Sequence, residues 1–127
     1  MARHAQVLAP GGLLILEVPN FHGVNLALLR RTRSPLLPVH NLNVMYPEVL
    51  CGLAEGQGLE TVEFGYFGGY ETQFFDVSGR SLAWRAPMSL AARLRRWRVL
   101  DHLNAPWLSG YLYGVFRKPV APPPPKR

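Results

Sequence analysis

The 127 residues carry 14 lysines and arginines against 8 aspartates and glutamates, a formal charge of +6, and 48% of them are hydrophobic. That balance excludes wholesale disorder, a collagen helix and a coiled coil, and the length suits one packed domain rather than two. The lone cysteine, Cys51, excludes an internal disulfide, a four-cysteine zinc site and a redox-active pair.

Residues 2 to 9 read as the end of a helix, and Ala9-Pro10-Gly11-Gly12 reads as a tight turn. Proline pre-sets its own backbone angle there and glycine supplies the left-handed one. Leu13-Leu14-Ile15-Leu16-Glu17-Val18 follows as an apolar run without alternation. Such a run predicts a strand inside a parallel sheet, with helices covering both of its faces. The turn ahead of it and Glu17 within it break the run too soon for a signal peptide, and nothing approaches the length of a membrane span. A cytoplasmic chain is therefore expected. Pro19 closes the strand, and Asn20-Phe21-His22-Gly23 forms the loop beyond its carboxyl end.

Residues 24 to 33 predict a short helix, with Leu26 and Leu29 inward, Leu28 at the margin, and Arg30, Arg31 and Arg33 outward. Pro35 and Pro38 then break the chain. A cleaner helix runs from Pro47 to about Glu55, with proline at its first position, an apolar stripe of Val49, Leu50 and Leu53, and Gly56 or Gly58 as its stop. Residues 59–66 alternate in part and predict a second strand, with Gly65, Gly68 and Gly69 marking a bulge or loop. Residues 70–88 carry no clear period. Ser89 to about Leu103 predicts a helix, with Trp84, Trp97 and Trp107 as core residues. Residues 111–117 predict a third strand, rich in aromatic and branched residues. The Pro-rich basic tail, residues 119–127, predicts an extended, disordered segment.

The order strand, helices, strand, helical insertion, strand is that of an α/β domain. The stretch from Val7 to Asn20, with its Leu8-Ala9-Pro10-Gly11-Gly12 turn leading into an apolar strand, resembles the class I S-adenosylmethionine-dependent methyltransferases. In that family the turn precedes the fifth strand of a Rossmann-like sheet. His40, the helix opening at Tyr46-Pro47-Glu48-Val49-Leu50, and Gly58-Leu59-Glu60-Thr61-Val62 are similar to the family's last helix and sixth strand. Tyr111 to Lys118 then corresponds to the seventh strand, which runs antiparallel to its neighbours. The resemblance covers roughly residues 5 to 67 and 110 to 118. It implies that residues 1–118 are the carboxyl-terminal half of such a domain, with an insertion over about 70–109, and that the gene start is misplaced or the reading frame truncated.

The family's cofactor motifs, an acidic residue with a glycine-rich turn after the first strand and a second acidic residue after the next, have no counterpart in the chain. Glu55-Gly56-Gln57-Gly58 stands in the reversed context, helix before and strand after, and reads as a helix stop. S-adenosylmethionine is thus implied as the cofactor, with its binding residues expected upstream of Met1. The resemblance implies methyl transfer to an unidentified acceptor, small or macromolecular, by a parent enzyme whose fragment alone is inactive. Without an inner neighbour, the first strand is an apolar edge, and self-association of the chain is expected.

Ligands of doubly wound folds sit beyond the carboxyl ends of the parallel strands. Asn20, Phe21 and His22 hold that place after the first strand, where the resemblance implies a loop bordering the acceptor, and it also implies a histidine at His40 ahead of the Tyr46 helix start; Asn20, Phe21 and Tyr46 are the candidates for acceptor binding, and His22 and His40 for catalysis. An imidazole titrates near neutrality and suits proton removal from an acceptor. Each has a plain structural alternative: Asn20 as a turn cap, His22 as a solvent-facing loop residue, His40 as a histidine held by backbone. Methyl transfer itself rests on in-line positioning, so a sharp catalytic motif is not required. No metal site is expected.

A different reading makes the chain a non-catalytic basic module that binds nucleic acid or an anionic surface through Arg93–Arg98. At about 100° per residue, Leu90, Leu94, Trp97 and Leu100 share one side, whereas Arg93, Arg95, Arg96 and Arg98 point in several directions. A groove-binding or membrane-surface helix needs its cations on one stripe, so a packed helix with solvated arginines is expected.

Overall fold

The computed structural model describes residues 1–75, 78–97 and 102–120. Helix α1 (Ala2–Val7) leads through the Pro10-Gly11-Gly12 turn into strand β1 (Leu13–Pro19), followed by helices α2 (Gly23–Thr32) and α3 (Pro47–Glu55). Strand β2 (Glu60–Tyr70), helix α4 (Leu82–Arg96) and strand β3 (Ser109–Arg117) complete the order, with short 3-10 turns at Leu37–Val39, Leu42–Met45 and Thr72–Phe74. The fold is α/β, built on a small, open, three-stranded antiparallel sheet.

The sheet order is β1-β3-β2, and β3 runs antiparallel to both neighbours. Two strands antiparallel to a common partner share one direction, so the carboxyl ends of β1 and β2 lie at the same end of the sheet. Leu14 faces Phe116, Leu16 faces Gly114 and Val18 faces Leu112 across the first pairing. Gly11, at φ +77°, lets the turn fold back so that its N–H donates to the Lys118 carbonyl over 2.8 Å. The Lys118 ammonium in turn donates to the carbonyls of Ala5 and Leu8, ending α1 with a cation where its free carbonyls emerge.

One core fills one face of the sheet: Leu14, Leu112 and Phe116 pack against Ala5, Leu50, Ala54 and Leu59. A second cluster, Phe21, Leu29, Met45, Tyr70 and Phe75, closes the end where β1 and β2 finish, with Met88 and Ala91 of α4 packed on it. No helix among the described residues is long and apolar enough to cross a membrane.

Several expectations need correction. The run Leu13 to Val18 is a strand, but only one of its faces is covered: Leu14 is buried, whereas Leu13 is 53% and Ile15 67% exposed. It also lies at the sheet's margin, because β3 is its one partner among the described strands. Helix α3 turns Leu50 and Ala54 inward, one turn apart, and leaves Val49 and Leu53 exposed. Helix α2 buries Asn25, Leu29 and Thr32, so two of its three inward positions are polar. Strand β2 extends to Tyr70, through a bulge between Phe67 and Tyr70 at the Gly68-Gly69 pair. The last helix spans Leu82–Arg96 rather than Ser89 to Leu103, with Pro87 inside it. Trp97 and Trp107 are exposed rather than core. Arg98, Leu100 and the tail from Ala121 to Arg127 lie outside the described residues.

Candidate functional site

The loop after β1 is fixed by its own polar side chains. Asn20 is fully buried, and its amide nitrogen donates to the carbonyls of Pro106 (2.8 Å) and Ser109 (2.9 Å), while its oxygen accepts from the backbone N–H of His22. Asn25, also fully buried, donates to the carbonyls of Asn20 and Ser109. Ser109 itself accepts from the Ala105 N–H through its hydroxyl. These bonds sew the carboxyl end of β1 to the segment entering β3. The Asn25 oxygen is buried without a partner among the described residues, whereas both ends of the Asn20 amide are bonded to backbone, so Asn20 shapes the loop.

That shape brings the other four candidates together. Phe21 is buried with its ring edge-on to His40, at a centroid distance of 5.1 Å. The next residue, His22, lies against the ring of Tyr46 at 4.1 Å. His40 Nδ1 sits 2.9 Å from the Leu36 carbonyl, which can only accept. Nδ1 therefore donates in this contact. The Nε2 atom of His22 is buried and has no hydrogen-bond partner among the described residues. Tyr46 stays about half exposed at the rim. The corner thus offers two imidazoles, one held by the Leu36 carbonyl, flanking a buried phenyl ring beside a phenol open to solvent.

The site has a second wall that the sequence did not announce. Beyond β2, Glu71 is 1% exposed; one carboxylate oxygen is ion-paired with Arg95 of α4 and accepts from the Gln73 N–H. Its other oxygen has no hydrogen-bond partner among the described residues. Tyr70 donates from its hydroxyl to the Met88 sulfur, and burial pushes its pKa up to about 12. Tyr66 is also raised, by burial and then by the carboxylate of Glu48. Between Phe75 and α4 lies a groove of about 530 Å³, lined by Leu82, Ala86, Met88 and Ala92 with Arg85 and Ser89 at its edge. Glu71 and Arg95 fall in or near the stretch without period, and their pairing joins residues far apart in sequence.

The glycine pair that follows a strand direction, Gly68-Gly69, is a bulge leading into the Thr72–Phe74 turn rather than into a helix. The carboxylate next to it, Glu71, is already engaged by Arg95. Compared with protein-family models, with curated proteins and with solved structures, the chain finds no match in any of the three.

Proposed function

We propose that the chain is the acceptor-side portion of a Rossmann-like methyltransferase domain, and that the residues binding S-adenosylmethionine lie outside these 127 residues. One observation carries this reading: β3 is inserted antiparallel between β1 and β2, which run the same way. The resemblance implies a last strand antiparallel to its neighbours, and β3 takes that direction.

In this reading the acceptor enters at the end of the sheet where β1 and β2 finish. Tyr46 and the exposed rim orient it, Phe21 packs edge-on against His40 and Tyr46 against His22, and His22 or His40 takes a proton where the acceptor must lose one. The cofactor, when bound to the complete domain, supplies an electrophilic methyl group on sulfur. No step through it is assigned to residues of this chain.

Translating the DNA ahead of Met1 in all frames tests the proposal. An in-frame strand followed by an acidic residue and a glycine-rich turn opening a helix is expected. An upstream region with no such segment in any frame overturns it.

A further inference from the structure

We propose that the outward face of α4 docks on an anionic lipid surface. The packed side of this helix is marked by its contacts: Met88 and Ala91 lie on the second core, Arg95 pairs with Glu71, and Trp84 receives Arg31 at 5.4 Å from its ring centroid. These four positions fall within about 60° of one another around the helix. On the opposite side, Leu82, Ala86, Trp97 and Leu90 occupy about 80° of arc with Arg93 among them, and Arg96 and Arg85 follow on the flank where Leu82, Ala86 and Arg85 also line the groove against Phe75. Leu82 is 76%, Leu90 58% and Trp97 72% exposed, and the three arginines are exposed too.

Of the cations read from the sequence, Arg95 turns inward to Glu71, Arg93 and Arg96 stay exposed, and Arg98 lies outside the described residues. What remains is one exposed face that mixes apolar residues with Arg93 and carries Arg96 and Arg85 on its flank, and neither α4 nor its cap at Trp97 holds an acidic residue. A solvated helix gains nothing by presenting two leucines and a tryptophan to water. An interfacial helix uses such a face, with the leucines at the acyl boundary, the indole at the headgroup level and the guanidiniums on lipid phosphates. A nucleic-acid backbone would use the arginines and leave Leu82 and Leu90 without a role, so the lipid surface is the occupant the chemistry favours. The inference stands independently of the methyltransferase reading.

Vesicle flotation of the whole chain tests it. The chain is expected to rise with phosphatidylcholine vesicles containing about 30% phosphatidylserine at about 0.15 M salt, and to stay behind with phosphatidylcholine alone. Substituting Arg85→Gln, Arg93→Gln and Arg96→Gln together is expected to weaken partitioning on the order of 100-fold, each cation contributing about fivefold. The triple change Leu82→Gln, Leu90→Gln and Trp97→Gln, all at exposed positions, is expected to weaken it at least about tenfold with the helical circular dichroism retained. Absence of flotation with anionic vesicles, or flotation that survives the apolar substitutions, overturns the proposal. So does a tighter, salt-sensitive complex with an oligonucleotide that the arginine substitutions abolish and the apolar ones leave intact.

Discussion

Asn20 is the residue whose role the structure changes most. The loop position after β1 marks it for hydrogen bonding to an acceptor, yet its amide is spent on two backbone carbonyls that arrive from residues 106 and 109. Asn20→Asp replaces that donor with an oxygen facing both carbonyls, and a loss of about 2–4 kcal/mol in urea unfolding is expected. Asn20→Ala, which removes the donor without adding repulsion, is expected to cost less. The sequence singled out Phe21, His22, His40 and Tyr46 one by one, and the fold sets Phe21 against His40 and His22 against Tyr46. Asn25, Glu71 and Lys118 were not singled out, since each acts on a partner whose nearness only the tertiary fold creates. Tyr70 offers a titration. Its folded pKa of about 12 exceeds the ordinary 10.0, so the neutral phenol favours the folded state and that contribution is lost as pH rises from about 10 to 12. Tyr113, whose hydroxyl donates to Glu63, is raised first by that bond and shifts stability in the same direction. Denaturant midpoints measured across this range are expected to fall less steeply in Tyr70→Phe than in the natural chain.

Among the elements, strands were the most legible and α4 the least. Unbroken apolar or aromatic runs locate β1 and β3 whatever surrounds them, and Pro47 with Gly56 brackets α3. Helix α4 escaped because Pro87, which reads as a breaker, sits one turn inside it, where its missing N–H costs one bond near the helix start. Its attachment is narrow: no residue of α4 is fully buried, and the Arg95–Glu71 pair ties it to the end of β2. Arg95→Met leaves a buried carboxylate without its cation, and a loss of about 3 kcal/mol is expected, with amide exchange accelerated first in α4. Glu71→Gln is expected to cost less, because Arg95 is partly open to water. The entry to α2 is fixed more tightly. Gly23 has φ +57°, and a methyl group there would fall on the backbone of Trp107, so Gly23→Ala is expected to cost about 2 kcal/mol or more by thermal unfolding.

At the scale of the whole molecule, the sheet is finished on one side and open on the other. Phe116, Leu112 and Leu14 are sealed by α1 and α3, while Leu13 and Ile15 project from the opposite face of a strand whose outer edge has no partner among the described residues. The apolar run predicts an interior strand covered on both faces, whereas the structure places it at the margin of the sheet with Leu13 and Ile15 exposed, because a local run specifies a strand but not its neighbours. An exposed edge of this composition recruits strands from other molecules. Sedimentation velocity of the chain across the range up to about 100 µM tests this most directly, because association through β1 is concentration-dependent and Ile15→Lys places a charge on the bare face without touching the core. The account expects reversible or aggregating association in the natural chain and a marked shift toward monomer in Ile15→Lys. A natural chain that sediments as a single monomer throughout that range would contradict it, for β1 would then be a stable margin and not the inside of a larger sheet.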